Sequence, residues 1–92
     1  MGNSTAGCTA NVILLVGKTL YCANAGDARS VLWSKNDAIA LSKDHKPDDY
    51  NEKDRITKAG GTVMMGRVNG NLNLSRALGD FEYKANNKLK PE

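Results

Sequence analysis

The sequence predicts an α+β domain, mainly an antiparallel β meander with one surface helix. Apolar, β-branched runs separated by short turn signals fill the first 42 positions. The period then becomes helical between Pro47 and Gly61. Afterwards the chain returns to short alternating stretches and closes on a lysine-rich tail.

Residues 1–7 are small and polar, a loose lead-in. Ala10 to Val16 is a nearly unbroken apolar run whose length and Val and Ile content favour a strand covered on both faces. Gly17-Lys18 is a two-residue turn signal, and Thr19 to Ala25 the second strand. Closing the hairpin there sets Val16 opposite Thr19, Ile13 opposite Cys22 and Cys8 opposite Asp27, so the two cysteines do not meet. Gly26-Asp27-Ala28 breaks that strand. Arg29 to Ser34 forms a third strand, Lys35-Asn36-Asp37 turns, and Ala38 to Leu41 forms a fourth.

Pro47-Asp48-Asp49 opens the helix, and Asp49 with Glu52 has the spacing of a capping box. Asp49 with Lys53 and Asp54 with Lys58 are favourable pairs one helical turn apart. Gly60-Gly61 ends the helix, because glycine tolerates a left-handed cap. Its apolar face is Tyr50, Ile56 and Ala59, the pattern of a surface helix. Thr62 to Met65 is a short strand, Arg67 to Gly70 a polar turn, and Asn71 to Leu74 a further strand. Ser75 caps a helical turn, Arg76 to Leu78, that stops at Gly79; from Phe81 the chain is polar and ends at Pro91-Glu92 without a closing element.

Composition bounds the function. Ninety-two residues make one small domain or a piece of a larger one, with a thin core built around a single Trp. Thirteen Lys and Arg against ten Asp and Glu leave a net charge of +3, spread from Lys18 to Lys90 with acids interleaved. A phosphate-backbone binder gathers its basic residues on one face, so a nucleic-acid partner is not expected. No apolar run approaches the ~20 residues of a membrane span, and no membrane partner is expected. Two cysteines are not the disulfide framework of a small secreted domain, which places the chain in a reducing cytoplasmic or nuclear compartment. The start Met1-Gly2-Asn3-Ser4-Thr5-Ala6 lacks the Ser or Thr that myristoylation prefers at its last position. The sequons at Asn3 and Asn73 follow no secretory signal and carry no glycosylation reading.

Several motifs invite chemistry. Gly17-Lys18-Thr19 lacks the first glycine of a phosphate loop, Val12 standing five positions before Gly17, and is followed by a strand where that motif needs a helix. His45 is the only histidine, too few for a zinc site, and reads as a loop residue hydrogen-bonded near Asp44. No glycine-flanked nucleophile supports a Ser-His-Asp triad. Asp27, just past a buried strand and after a permissive glycine, is either a turn-former or a ligand for a hard cation such as Mg2+ or Mn2+. Asp80, after Gly79, has the same two readings. Arg29, Arg67 and Arg76 have the planar fork that grips phosphate, or are ordinary solvated arginines; Arg67 stands in a glycine-flanked turn within a substrate's reach.

The order of these motifs resembles the metal-dependent protein serine/threonine phosphatases of type 2C. The resemblance rests on Gly7-Cys8-Thr9-Ala10, Ala23-Asn24-Ala25-Gly26-Asp27-Ala28-Arg29 and Asp44-His45-Lys46-Pro47. It continues through Glu52 to Ile56 with Ala59-Gly60-Gly61, Arg67-Val68-Asn69-Gly70, and Ser75-Arg76-Ala77-Leu78-Gly79-Asp80. Six short motifs in one order, from about residue 7 to Lys84, make it specific. It implies a partial four-layer α-β-β-α sandwich: residues 7–46 as sandwich strands, 47–70 as the flap beside the cleft, 71–84 as a return strand and turn. It implies hydrolysis of phosphoserine and phosphothreonine in protein substrates with a pair of Mg2+ or Mn2+ ions, Asp27 at the position associated with an additional metal, and Arg67 as the substrate-binding candidate. The family more often has Ser at the positions of Cys8 and Ala28.

The same resemblance implies incompleteness. The family's metal-bridging Asp-Gly-His segment, its later Asp-Gly and Asp-Asn segments and its N-terminal phosphate-gripping arginine have no counterpart here, and Asp44-His45 lacks the intervening glycine. The expectation is a central fragment of the catalytic domain, with no catalytic residue of its own, inactive alone and able to self-associate through an uncovered sheet. The alternative is a non-catalytic protein-interaction module that docks through residues 49–59 and the Arg67 turn.

Overall fold

The computed structural model describes residues 4–90. Asn3 with its sequon, the Met1-Gly2 start and Pro91-Glu92 lie outside the described residues. Among the described residues the architecture is α+β, with eight short strands in antiparallel pairs and one α-helix. The order is β1 (Gly7–Cys8), β2 (Ala10–Val16), β3 (Thr19–Ala25), β4 (Val31–Ser34), β5 (Asp37–Ala40), α1 (Tyr50–Lys58), β6 (Val63–Met64), β7 (Arg67–Val68) and β8 (Leu78–Gly79), followed by a 3-10 helix, Phe81–Lys84.

The β2–β3 hairpin has the predicted register, with Val16 opposite Thr19 and Ile13 opposite Cys22. Gly17 enters its turn at φ 59°, which glycine reaches without a Cβ penalty. The expected opposition of Cys8 and Asp27 does not form. The chain bends after Cys8, and β1 pairs with β8, Cys8 facing Leu78 and Gly7 facing Gly79. The lead-in therefore becomes a strand that closes the first part of the chain on the last.

The third strand begins at Val31, not Arg29, because Arg29 and Ser30 are used in the crossing from β3. Lys35 and Asn36 both take positive φ, a tight two-residue turn, so Asp37 belongs to β5. The expected continuous meander is two hairpins, since β3 and β4 share no ladder. Side chains join them instead. Asn11 and Asn24, register partners across β2–β3, bond each other at 3.0 Å. Asn11 also donates to Ser42 Oγ at 3.2 Å and accepts from Ser30 Oγ, while Asn24 donates to the Lys43 carbonyl at 3.0 Å.

Helix α1 is capped as predicted at Asp49, whose side chain accepts from the Asn51 amide at 3.2 Å. The reciprocal half of the capping box does not form, because Glu52 turns away from the cap and into the protein. Asp49 pairs with Lys43 at 2.7 Å, not with Lys53; Asp54 and Lys58 do pair, at 2.7 Å. The helix ends in a Schellman motif: Gly60 N donates to Thr57 O at 3.0 Å and Gly61 N to Ile56 O at 2.9 Å, with Gly60 at φ 89°. Tyr50 is 81% exposed, so the predicted apolar face reduces to Ile56.

Beyond the helix, Met65 and Gly66 make the turn and Arg67 belongs to strand β7. The expected strand over 71–74 is a single bridge, Val68 to Leu72, because Asn69 and Gly70 already turn the chain with positive φ. The expected helical turn over 76–78 is replaced by β8, whose Leu78 and Gly79 are taken by β1. Within the polar tail, Phe81–Lys84 forms a 3-10 helix with no buried residue.

Among the described residues the buried core is small: Ile56, Val68 and Pro47, with the charged Glu52 beside them. Both faces of β2 are open to solvent, Leu15 being 64% exposed, and Trp33 on β4 is 68% exposed. The strand read as covered on both faces is uncovered by these residues alone.

The Schellman cap gives a direct test. Gly60 has open space where a Cβ would sit, so only its left-handed φ resists substitution. Gly60→Ala is expected to lower stability by about 1 kcal/mol in urea titration.

Candidate functional site

The chain crosses itself where three of the sequence motifs meet: the Gly26-Asp27 turn after β3, the His45-Lys46 loop before α1, and the Ser75-Arg76 loop before β8. Gly26 is buried at φ 114°, and a Cβ there would lie 2.4 Å from Thr9 Cγ2 and 3.0 Å from the Arg76 carbonyl oxygen. Only glycine allows this approach.

His45 joins the three segments. Its Nδ1 accepts from the Gly26 amide at 3.0 Å, and its own amide donates to the Gly26 carbonyl at 2.8 Å. Its carbonyl accepts from the Ser75 amide at 3.1 Å. An accepting Nδ1 carries no proton, so the neutral ring here holds its proton on Nε2. The predicted neighbour, Asp44, is engaged elsewhere, in a two-pronged pair with Arg29 at 2.8 and 2.9 Å. That guanidinium, first by hydrogen bonding, holds the Asp44 carboxyl below its ordinary range.

Asp27 is presented just past Gly26, as the sequence predicts. Its Oδ2 accepts from Lys46 Nζ at 2.6 Å, and Lys46 also reaches the Asn73 carbonyl at 3.3 Å. Arg67 is exposed on β7 and donates to the Asn71 carbonyl at 2.8 Å, which braces the turn over 69–70. Arg76 is half-buried, with its guanidinium turned onto Glu52. Its Nε lies 3.0 Å from both Glu52 carboxylate oxygens. Asp80 stands at φ 49° with its carboxylate against Gly7, where a Cβ would lie 2.2 Å from Asp80 Oδ1.

The residue that sequence reasoning missed is Glu52. Only 6% exposed, it accepts from Ser75 Oγ at 2.7 Å, from Arg55 Nη2 at 3.0 Å and from Arg76. Arg55 in turn donates to the Ser75 carbonyl at 2.5 Å. The signal was present in the spacing, because Glu52 lies one helical turn before Ile56 and so on the buried stripe. Burial pushes the Glu52 carboxyl up, but hydrogen bonds from Arg76, Ser75 and Arg55 and the Arg55 charge outweigh it and hold the group below its ordinary value.

Among the described residues no group of three or more His, Cys, Asp and Glu side chains could hold a metal ion. Asp27 presents a single carboxylate, paired with Lys46, where a hard cation takes several oxygen ligands. No described helix is long and apolar enough to cross a membrane.

The fold is a phosphatase fold. It superimposes on the crystal structure of a phosphatase from a pathogenic strain of Toxoplasma gondii with a TM-score of 0.71 and 31% identity, over 96% of this chain and 39% of that one. The family profile described as Protein phosphatase 2C matches residues 2–92. The chain is 67% identical to "Probable protein phosphatase 2C 6" of Paramecium tetraurelia, over 97% of its own length and 30% of that protein. It is 64% identical to "Protein phosphatase 2C homolog 3" of Schizosaccharomyces pombe, over 95% of its length and 21% of that protein. The chain belongs to the protein phosphatase 2C family, and spans about a third or less of the relatives it matches.

Glu52 sets a pH dependence. With its folded pKa below its unfolded value of about 4.3, its contribution is full above that value and is lost as pH falls through the folded one. The urea midpoint is expected to fall on acidification below about pH 4. Glu52→Gln should start from a lower midpoint at pH 7 and lose less over the same interval.

Proposed function

We propose that this chain is the central part of a protein phosphatase that hydrolyses phosphoserine and phosphothreonine in protein substrates with Mg2+ or Mn2+. The observation that carries the reading is the Gly26-Asp27 turn, held on His45 and presented beside the Ser75–Asp80 loop, in a chain of this family. In that reading residues 7–46 supply sandwich strands, 47–70 the flap and 71–84 the return to the sheet.

Asp27 would hold a divalent ion through its carboxylate, with Lys46 as its counter-charge when no ion is bound. That ion would be the additional one, whereas the metal pair of the complete domain would lower the pKa of a bound water and offset the charge that develops on a transferring phosphoryl group. Arg67, exposed on the flap hairpin, contributes charge and hydrogen-bond donors toward a substrate phosphate. No catalytic residue is assigned within these residues, since one carboxylate does not organise two ions.

The test is metal-dependent release of phosphate from a phosphoserine peptide. These 92 residues alone are expected to show none, whereas the same chain joined to the remaining segments of a relative should be active. In the joined protein Asp27→Ala should lower activity about tenfold or more at limiting Mn2+ and recover partly at high Mn2+. Arg67→Ala should raise KM more than it lowers kcat. Turnover by the 92 residues alone, or metal-independent turnover, overturns the reading.

The open faces of β2–β3 and β4 support a second expectation, self-association of the isolated chain. Sedimentation should show species larger than a monomer that grow with concentration. A sharp monomer boundary across the range contradicts it.

A further inference from the structure

We propose that Glu52 is a positioning residue for the Gly26-Asp27 turn, acting from helix α1 through the Ser75-Arg76 loop and His45. Each contact in the path is direct. Glu52 Oε2 accepts from Ser75 Oγ at 2.7 Å, and both Glu52 oxygens take Arg76 Nε at 3.0 Å. Arg55 ties Glu52 to the Ser75 carbonyl, so the loop is held on its donor and acceptor sides. The Ser75 amide donates to the His45 carbonyl at 3.1 Å. His45 then holds both backbone polar groups of Gly26, one through its own amide and one through Nδ1. A second path runs in parallel, because the Arg76 carbonyl oxygen lies 3.0 Å from where a Gly26 Cβ would sit.

Burial gives the relay its stiffness. Glu52 and Gly26, its two ends, are both buried, and charge-assisted hydrogen bonds out of water are stronger and more directional than exposed ones. The exposed pair on the same helix, Asp54 with Lys58, joins two positions of the helix itself. Helix α1 is thereby coupled to the turn that carries Asp27, although these elements lie far apart in sequence. The consequence for metal binding rests on the reading of Asp27 given above; the relay does not.

The experiment is amide hydrogen exchange, followed by NMR on the chain joined to the remaining segments of a relative and without metal, so that failure of the relay and failure of Asp27 to bind an ion are read separately. In Glu52→Gln, exchange at the Gly26 and Ser75 amides is expected to rise about tenfold or more, with the β2–β3 ladder unchanged. The His45 Nδ1 resonance should shift toward that of an imidazole without a donor on that nitrogen. Lys58→Gln, which breaks an exposed pair on the same helix, should change none of these. An unchanged Gly26 amide in Glu52→Gln overturns the proposal. So does loss of protection by the same factor across the β2–β3 ladder, or an unprotected Gly26 amide in the unsubstituted chain.

Discussion

The structure depends on one buried carboxylate. Glu52 sits inside a protein with very few buried apolar side chains, and burying a charge without partners is costly. Two guanidinium groups and a hydroxyl offset that cost. The helix brings its own Arg55, and the distant loop brings Ser75 and Arg76. Removing one partner of such a set leaves the buried carboxylate with fewer donors to offset its lost hydration, which is costly.

The helical excursion gains its anchor from this arrangement. An apolar stripe reduced to Ile56 would hold a nine-residue helix weakly against the strands. Ion pairing supplies direction as well as attachment, because the Arg76 fork accepts only a narrow range of carboxylate orientations. The same loop then runs into β8, which captures β1 and brings the beginning and end of the chain together. Polar side chains perform a similar task between the hairpins, where Asn11, Asn24 and Ser42 take the place of a backbone ladder.

Apolar side chains are arranged in the opposite way. Val12, Leu14, Leu15, Tyr21 and Trp33 on β2, β3 and β4 are largely left uncovered by the described residues. Their number is what a sandwich interior requires and more than a water-facing sheet carries. Relatives about three times longer or more share the pattern of this chain at 64–67% identity.

Local signals were legible in the sequence where their cause is local. The Gly17-Lys18 hairpin and its register, the Asp49 cap and the Gly60-Gly61 stop each follow from a few neighbouring residues and came out as read. Asp27 on its glycine turn was legible for the same reason. The pairing of β1 with β8, the replacement of a helical turn by a strand at Leu78 and the diversion of Glu52 from its cap were decided only by the tertiary structure. In each case a partner more than twenty positions away competed with the local option and won, and pattern within a short window carries no record of such a partner. The motifs themselves, and with them the family, were determined by the sequence; which of the charged residues turn inward to hold one another was determined by where the folded chain brings them within hydrogen-bonding distance.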